Sequence, residues 1–109
     1  MKKILENLSK CGADFRGAPV WAWNSKIDAD EAVRQINIMH EMGLGGFFIH
    51  ARVGLDTYYL GKEWFDIVRR CIAEAEKLDM NVWLYDEDRW PSGAAGGIVT
   101  KNPRFRAKK

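Results

Sequence analysis

Three short apolar runs, separated by two amphipathic helical patterns, constrain what this chain can fold into. The runs are APVWAW at 18–23, GGFFIH at 45–50 and NVWLY at 81–85. Each run is continuous and rich in aromatic or β-branched residues, which is typical of a strand buried on both faces of a parallel sheet. We therefore predict three strands at these positions.

The segments between the runs predict two helices. Asp28 is placed as the N-cap of the first, with Glu31 three residues later as in a capping box. Gly43 follows the last apolar position and predicts a left-handed stop. The second helix is predicted from roughly Lys62 to Leu78, and Asp79 stands where glycine is the usual stop.

The order β-α-β-α-β favours parallel strands joined by right-handed crossovers. Two architectures are built from such units, the doubly wound sheet and the (β/α)8 barrel. A complete barrel takes about 250 residues, whereas this chain has 109. We predict an α/β fold of three parallel strands with intervening helices, which would be either an incomplete doubly wound sheet or an incomplete (β/α)8 TIM barrel.

Composition and charge exclude several partners. The net charge is only +2 with acids and bases interspersed, so we expect no nucleic-acid or membrane partner. The N-terminus begins MKK, but polar residues interrupt the apolar stretch that an export signal needs. We therefore expect a cytoplasmic protein whose cysteines, Cys11 and Cys71, are free thiols. No motif predicts a cofactor.

Polar side chains cluster where each predicted strand ends. Because the carboxyl ends of parallel strands meet at one edge of a sheet, these clusters are expected to form one surface. The turns at the opposite edge, MGLGG and KLDMN, contain few residues of the types that bind substrates or catalyse reactions. The candidate substrate-binding residues on this surface are Trp23, Asn24, His50, Arg52, Asp86, Glu87, Asp88, Arg89 and Trp90.

This mixture of carboxylate, guanidinium, imidazole, amide and indole groups is typical of carbohydrate sites. Carboxylates and amides accept hydrogen bonds from sugar hydroxyls, and indole faces stack on pyranose rings. Glycoside hydrolysis needs two carboxylates across the scissile bond, but Asp86, Glu87 and Asp88 are adjacent and cannot flank a sugar by themselves. A second carboxylate would have to come from another strand.

Other interpretations of the same residues stay open. The DEDR segment is also typical of a solvated loop with a salt bridge to Arg89, and His50 could equally be a core histidine with a satisfied ring. A metal site is not expected, because the acids lack the alternate spacing of a calcium loop. Trp21 and Trp23 alternate, so one of them should pack in the core, and Trp64 and Trp83 are most simply core residues.

Three motifs resemble the opening of the catalytic barrel in bacterial glycoside hydrolases related to the α-L-rhamnosidases of glycoside hydrolase family 106. They are P-x-W-x-W-N at 19–24, G-G-F-F-x-H-x-R-x-G at 45–54 and W-L-Y-D-E-D-x-W-P-S-G at 83–93. The third is the most specific, and all three occur in the order and spacing of that family. The resemblance covers residues 15 to 107.

The resemblance implies a (β/α)8 barrel acting on an O-glycosidic bond, with an α-L-rhamnoside as the sugar. It also implies catalytic carboxylates on later strands, which leaves the residues named above to line the substrate pocket. We expect 1–14 to be a lead-in segment and 15–109 the N-terminal portion of the barrel, inactive alone. The alternative is a stand-alone carbohydrate-binding or self-assembling module without catalysis, which could complete its sheet by pairing with a second copy at the open edge.

Overall fold

The computed structural model describes residues 1–90, 93 and 95–107. Pro91 and Ser92 of the third motif lie outside the described residues. Within the described ranges no helix is long and apolar enough to cross a membrane. The α-helices are α1 (Lys2–Ser9), α2 (Ala29–Glu41) and α3 (Lys62–Lys77), and the strands are β1 (Val20–Trp23), β2 (Gly46–Ala51) and β3 (Asn81–Leu84). Single 3-10 turns occupy Ala13–Phe15, Ala95–Gly97, Val99–Lys101 and Pro103–Phe105.

The three strands form one open parallel sheet in the order β1-β2-β3. Strands β1 and β2 pair in parallel, with Val20 beside Phe48, and β2 and β3 pair in parallel, with Gly46 beside Asn81. The predicted α/β class, the three strands and their parallel arrangement are therefore confirmed.

Both long helices pack against one face of the sheet. That face carries Trp23, Phe47 and Ile49, which form a single buried cluster with Ile36 of α2 and Trp64 of α3. A helix layer on only one side leaves the other face open. The prediction of strands buried on both faces holds for β2, which is buried almost throughout, and is wrong for β1 and β3, which each keep exposed positions.

The open face carries an aromatic ladder instead of a second helix layer. The rings of Phe48 and Trp83 stack with their centroids 4.7 Å apart and their planes 14° from parallel. Trp83 is partly exposed, so the expectation that it packs in the core is wrong. Side chains alternate between the faces of a strand, which places Trp83 opposite the face that α3 covers.

The ends of α2 follow from its sequence. The carboxylate of Asp28 accepts a hydrogen bond from the backbone N–H of Glu31 at 2.8 Å, which confirms the predicted N-cap. Gly43 has a φ of 84°, and the N–H of Leu44 donates to the carbonyl of Met39 at 3.0 Å. This is the Schellman arrangement, which confirms the predicted glycine stop.

Helix α3 ends in the same way without a glycine. Asp79 takes the left-handed conformation, with a φ of 53°, and the N–H of Met80 donates to the carbonyl of Ala75 at 2.9 Å. Aspartate is among the few non-glycine residues that adopt this conformation, which explains why the helix stops here.

The lead-in segment contains α1, whose apolar side chains Ile4, Leu5 and Leu8 are exposed. After it, the turn at Ala13–Phe15 lies against the start of the sheet, where Asn81 donates a side-chain hydrogen bond to Asp14 at 2.8 Å.

Candidate functional site

The strand ends meet at one edge of the sheet, as the parallel register requires. Trp23 at the end of β1 pairs with Ala51 at the end of β2, and Ile49 pairs with Leu84 at the end of β3. The backbone N–H of Arg52 donates to the carbonyl of Trp23 at 2.9 Å. The segments that carry the candidate residues therefore leave the sheet side by side.

His50 and Glu87 form a buried pair at this edge. The Nε2 atom of His50 lies 3.0 Å from Oε1 of Glu87, and the two residues are only 5% and 2% exposed. A buried carboxylate is costly unless it is hydrogen-bonded, so this contact fixes both side chains. His50 is thus both a satisfied buried histidine and a direct partner of the acidic cluster.

Tyr85 packs against this pair on the open face of the sheet. Its ring stacks on the imidazole of His50, with centroids 4.1 Å apart and planes 17° from parallel. Its backbone N–H donates to the carbonyl of Ile49 at 2.9 Å, which continues the pairing of β3 with β2. Glu87 lies two residues further along, beyond a bend at Asp86, and its carboxylate reaches the imidazole of His50.

Asp88 lies on a different part of the same edge. One carboxylate oxygen, Oδ2, is 3.5 Å from Nε of Arg89. The other, Oδ1, is buried and has no hydrogen-bond partner among the described residues. A buried acceptor without a donor is destabilising by about 1–3 kcal/mol, so this oxygen is a local cost to the stability of the fold.

A small cavity opens beside Asp88. Its volume is about 200 Å³, and it is lined by Leu55, Asp56, Thr57, Tyr58, Tyr59, Asp88, Arg89, Gly96, Ile98 and Lys101. The cavity thus joins the loop after β2 to the segment after β3. It brings hydroxyl, carboxylate, guanidinium and ammonium groups together within a single enclosed space.

Tyr59 is the functional candidate that sequence reasoning missed. Burial raises the pKa of its phenol, and the negative charges of Asp88, Asp86 and Glu87 raise it further. The hydroxyl therefore stays protonated at neutral pH and can donate a hydrogen bond. Tyr59 follows β2 in the GLDTYYLG segment, where two adjacent tyrosines in a strand-end loop were the available signal.

Trp23 lies in the core. It is 1% exposed, and its ring meets the rings of Trp21 at 5.6 Å and Trp64 at 6.3 Å in edge-to-face contacts. It is therefore the fully buried member of the Trp21–Trp23 pair, whereas Trp21 is partly buried and packs against the same cluster. Trp64 is likewise buried, as predicted.

The remaining candidates lie at the surface of the strand-end region. Asn24, Asp86, Arg89 and Trp90 are exposed, and Arg52 is half-buried. Asn24 also lines a second cavity of about 330 Å³ beside β1. The structure thus joins His50 to Glu87 and Asp88 to Arg89 by direct contact, and leaves the others around them without such contacts.

The largest cleft lies elsewhere, between the first turns of α2 and α3. It has a volume of about 860 Å³, and many of its charges are already paired. Lys62 lies 2.6 Å from Asp66, and Arg70 lies 2.6 Å from Asp30. Across the described ranges, no three His, Cys, Asp or Glu side chains are placed to hold a metal ion.

Comparison of the chain with protein-family models, with curated proteins and with solved structures found no match. Function is therefore argued from the strand-end site alone.

Proposed function

We propose that the strand-end site binds a carbohydrate, as part of a (β/α)8 glycoside hydrolase barrel to which this chain contributes three strands. The observation that carries the proposal is the polar cavity of about 200 Å³ at the strand ends, which Asp88, Arg89 and Tyr59 line together. A sugar hydroxyl in this cavity can donate a hydrogen bond to the carboxylate of Asp88. Tyr59, Arg89 and Lys101 would then supply donors to the ring and hydroxyl oxygens.

The rigid pair of His50 and Glu87 supports this proposal. Sugar recognition depends on acceptors whose positions are fixed before the ligand arrives. Glu87 is held by His50 at 3.0 Å, and His50 is held by the ring of Tyr85. Trp90, exposed beside them, offers an indole face for stacking on a pyranose.

The arrangement of the sheet supports the proposal that this chain belongs to a barrel. Its strands follow one another in chain order, and both crossover helices lie on one face, as in each part of a (β/α)8 barrel. Its other face carries the stacked pair Phe48 and Trp83, which suits the packed interior of a barrel. An α-L-rhamnoside remains the substrate that the sequence motifs suggest.

A titration of the whole chain with methyl α-L-rhamnoside, methyl α-D-glucoside and methyl β-D-galactoside, followed by amide chemical shifts, tests the proposal. We expect one of them to bind with a Kd near 1 mM, equivalent to about 4 kcal/mol, and to shift amides at 56–59 and 86–90. Asp88→Asn should weaken binding about tenfold, because it replaces a charge-assisted hydrogen bond by a neutral one.

Asp14→Asn is the matched control, since Asp14 lies at the opposite edge of the sheet, where it bonds Asn81. It should leave the affinity unchanged. Absence of binding by all three glycosides at 50-fold the expected Kd, or equal effects of the two substitutions, would contradict a sugar site at Asp88.

A stand-alone binding module that self-associates is the second candidate. The observation that favours it is the unpaired outer edge of β3 with partly exposed apolar side chains beside it, among them Phe65 and Ile72. Association through this edge would leave the strand-end cavity open to a sugar.

A further inference from the structure

Helix α3 presents an apolar stripe on its side away from α2. The side facing α2 is marked by Asn37 of α2, which donates to Glu74 of α3 at 3.0 Å. Roughly half a turn around the helix lie Phe65, Arg69, Ile72 and Glu76, spaced three or four residues apart as a single stripe requires. Phe65 and Ile72 are 38% and 47% exposed, which is high for large apolar side chains. We name these four residues the α3 stripe.

The carboxyl-terminal half of the stripe borders a groove. The groove has a volume of about 480 Å³ and runs between α3 and β3, lined by Ile72, Glu76, Asp79, Met80, Asn81 and Val82. Its floor is apolar, since Met80 is buried and Val82 packs against the core. Its rim is acidic, because Glu76 and Asp79 stand along one side.

The amino-terminal half of the stripe has the complementary character. Phe65 projects as a half-exposed ring, and the guanidinium of Arg69 lies over it, 5.9 Å from the ring centroid. Arg69 also lies 2.9 Å from Oδ1 of Asp66, so this half presents an aromatic ring and a guanidinium already shared with one carboxylate, whereas the groove is aliphatic and acidic. A basic aromatic projection fits an acidic apolar groove by both shape and charge.

The two halves meet only if a second copy runs antiparallel to the first. A two-fold axis beside Ile72 places Arg69 of each copy opposite Glu76 of the other. It also brings the two copies of Ile72 together and directs Phe65 to the groove at Met80. Such an interface is isologous, with the same patch used by both subunits.

The outer edge of β3 is compatible with the same two-fold symmetry. Strand β3 is an outer strand of the sheet, and an unpaired edge readily pairs with another chain. A two-fold axis perpendicular to the sheet makes β3 and its copy antiparallel neighbours, about 4.8 Å apart. If α3 lies over the β2–β3 pair, the two copies of α3 are then about 10 Å apart, within the usual distance of packed helices.

We propose that this chain forms a symmetric homodimer through the edge of β3 and the α3 stripe, giving one six-stranded sheet. The interface leaves the strand-end site outside the contact, so both copies of the site stay accessible. The proposal rests on the second candidate above, the self-associating module, and not on sugar binding. In a complete barrel the next strand would occupy the edge of β3 instead.

Sedimentation velocity over a range of protein concentrations tests the dimer. The unaltered chain should sediment as a monomer–dimer equilibrium. Ile72→Arg, which puts a charge into the apolar centre of the stripe, should raise the dimer dissociation constant at least about a hundredfold, as truncating or charging an interface centre does. Ile38→Arg is the matched control, because Ile38 is likewise a partly exposed isoleucine, 38% against 47% for Ile72, but belongs to α2. This substitution should leave the dimer intact.

A charge exchange tests the antiparallel arrangement without touching an apolar residue. Arg69→Glu and Glu76→Arg should each weaken the dimer about tenfold, and the double variant should recover most of that loss. A monomer at all concentrations, growth beyond a dimer, or dissociation by Ile38→Arg but not by Ile72→Arg would overturn the proposal. The sugar titration of Ile72→Arg separates the two hypotheses, since loss of the dimer should leave the glycoside affinity unchanged.

Discussion

Replacing Glu87 by alanine is expected to destabilise the fold by about 3 kcal/mol. The carboxylate is 2% exposed and lies 3.0 Å from Nε2 of His50, which is itself 5% exposed. Removing the carboxylate leaves Nε2 of His50 buried without this partner, and an unsatisfied buried polar atom costs about 1–3 kcal/mol. We take the upper part of this range because both side chains are almost fully buried.

Urea unfolding followed by tryptophan fluorescence measures this loss. With a slope of about 2 kcal/mol per molar urea, a loss of about 3 kcal/mol lowers the midpoint by about 1.5 M. Glu87→Gln keeps an acceptor within reach of His50 and should cost only about 1 kcal/mol. Glu41→Ala, at an exposed position of α2, should change stability by less than about 0.5 kcal/mol.

A double-mutant cycle that combines Glu87→Ala with His50→Ala measures the free energy of the contact itself, apart from the other effects of each substitution. The coupling free energy between the two positions should be about 1.5–3 kcal/mol, the range for a hydrogen bond to a charged group. All variants are compared at one protein concentration and one association state. Additivity of the two substitutions, or a cost of Glu87→Ala below about 1 kcal/mol, would refute the view that this pair fixes the strand-end site.

Two further predictions concern the core and the lead-in segment. Burial raises the pKa of the Cys71 thiol to about 12 from an ordinary value of 9.0, so at pH 8 a disulfide reagent should modify Cys11 rapidly and Cys71 only on unfolding. As pH rises from 9 towards 12 the unfolded chain loses this proton while the folded chain keeps it, so stability should fall, and Cys71→Ala should remove that part of the fall. Gly45→Ala should lower the free energy of unfolding by about 1–3 kcal/mol in the urea assay, because its methyl group would overlap the backbone carbonyl of Ala13. Equal labelling of both thiols in the folded chain, or a neutral Gly45→Ala, would contradict these assignments.

Local sequence signals predicted the elements of the fold because each depends on neighbouring residues. The aspartate cap of α2 and the glycine stop after it are set within a few residues. Parallel strands with intervening helices follow from the lengths of the connections. The gathering of polar groups at one edge then follows from the topology, without any knowledge of side-chain contacts.

The site itself depended on contacts between distant residues. His50 and Glu87 are 37 positions apart, and nothing in the sequence distinguishes Glu87, which is buried, from Asp86, which is exposed. Tyr59 joined the site because the loop after β2 lies against the segment after β3. The sequence also left open whether Trp21 or Trp23 packs inside.

What the sequence by itself determined is the order and type of the three strands and the two helices between them, since capping, periodicity and connection length act over short distances. Only the tertiary structure decided which side of each strand the helices cover. That choice buries Trp23 and leaves Trp83 and the α3 stripe partly exposed. It also places one oxygen of Asp88 in a buried position without a partner among the described residues. The physical reason is that burial and hydrogen-bond satisfaction are set by which surfaces meet, and the residues on those surfaces are far apart along the chain.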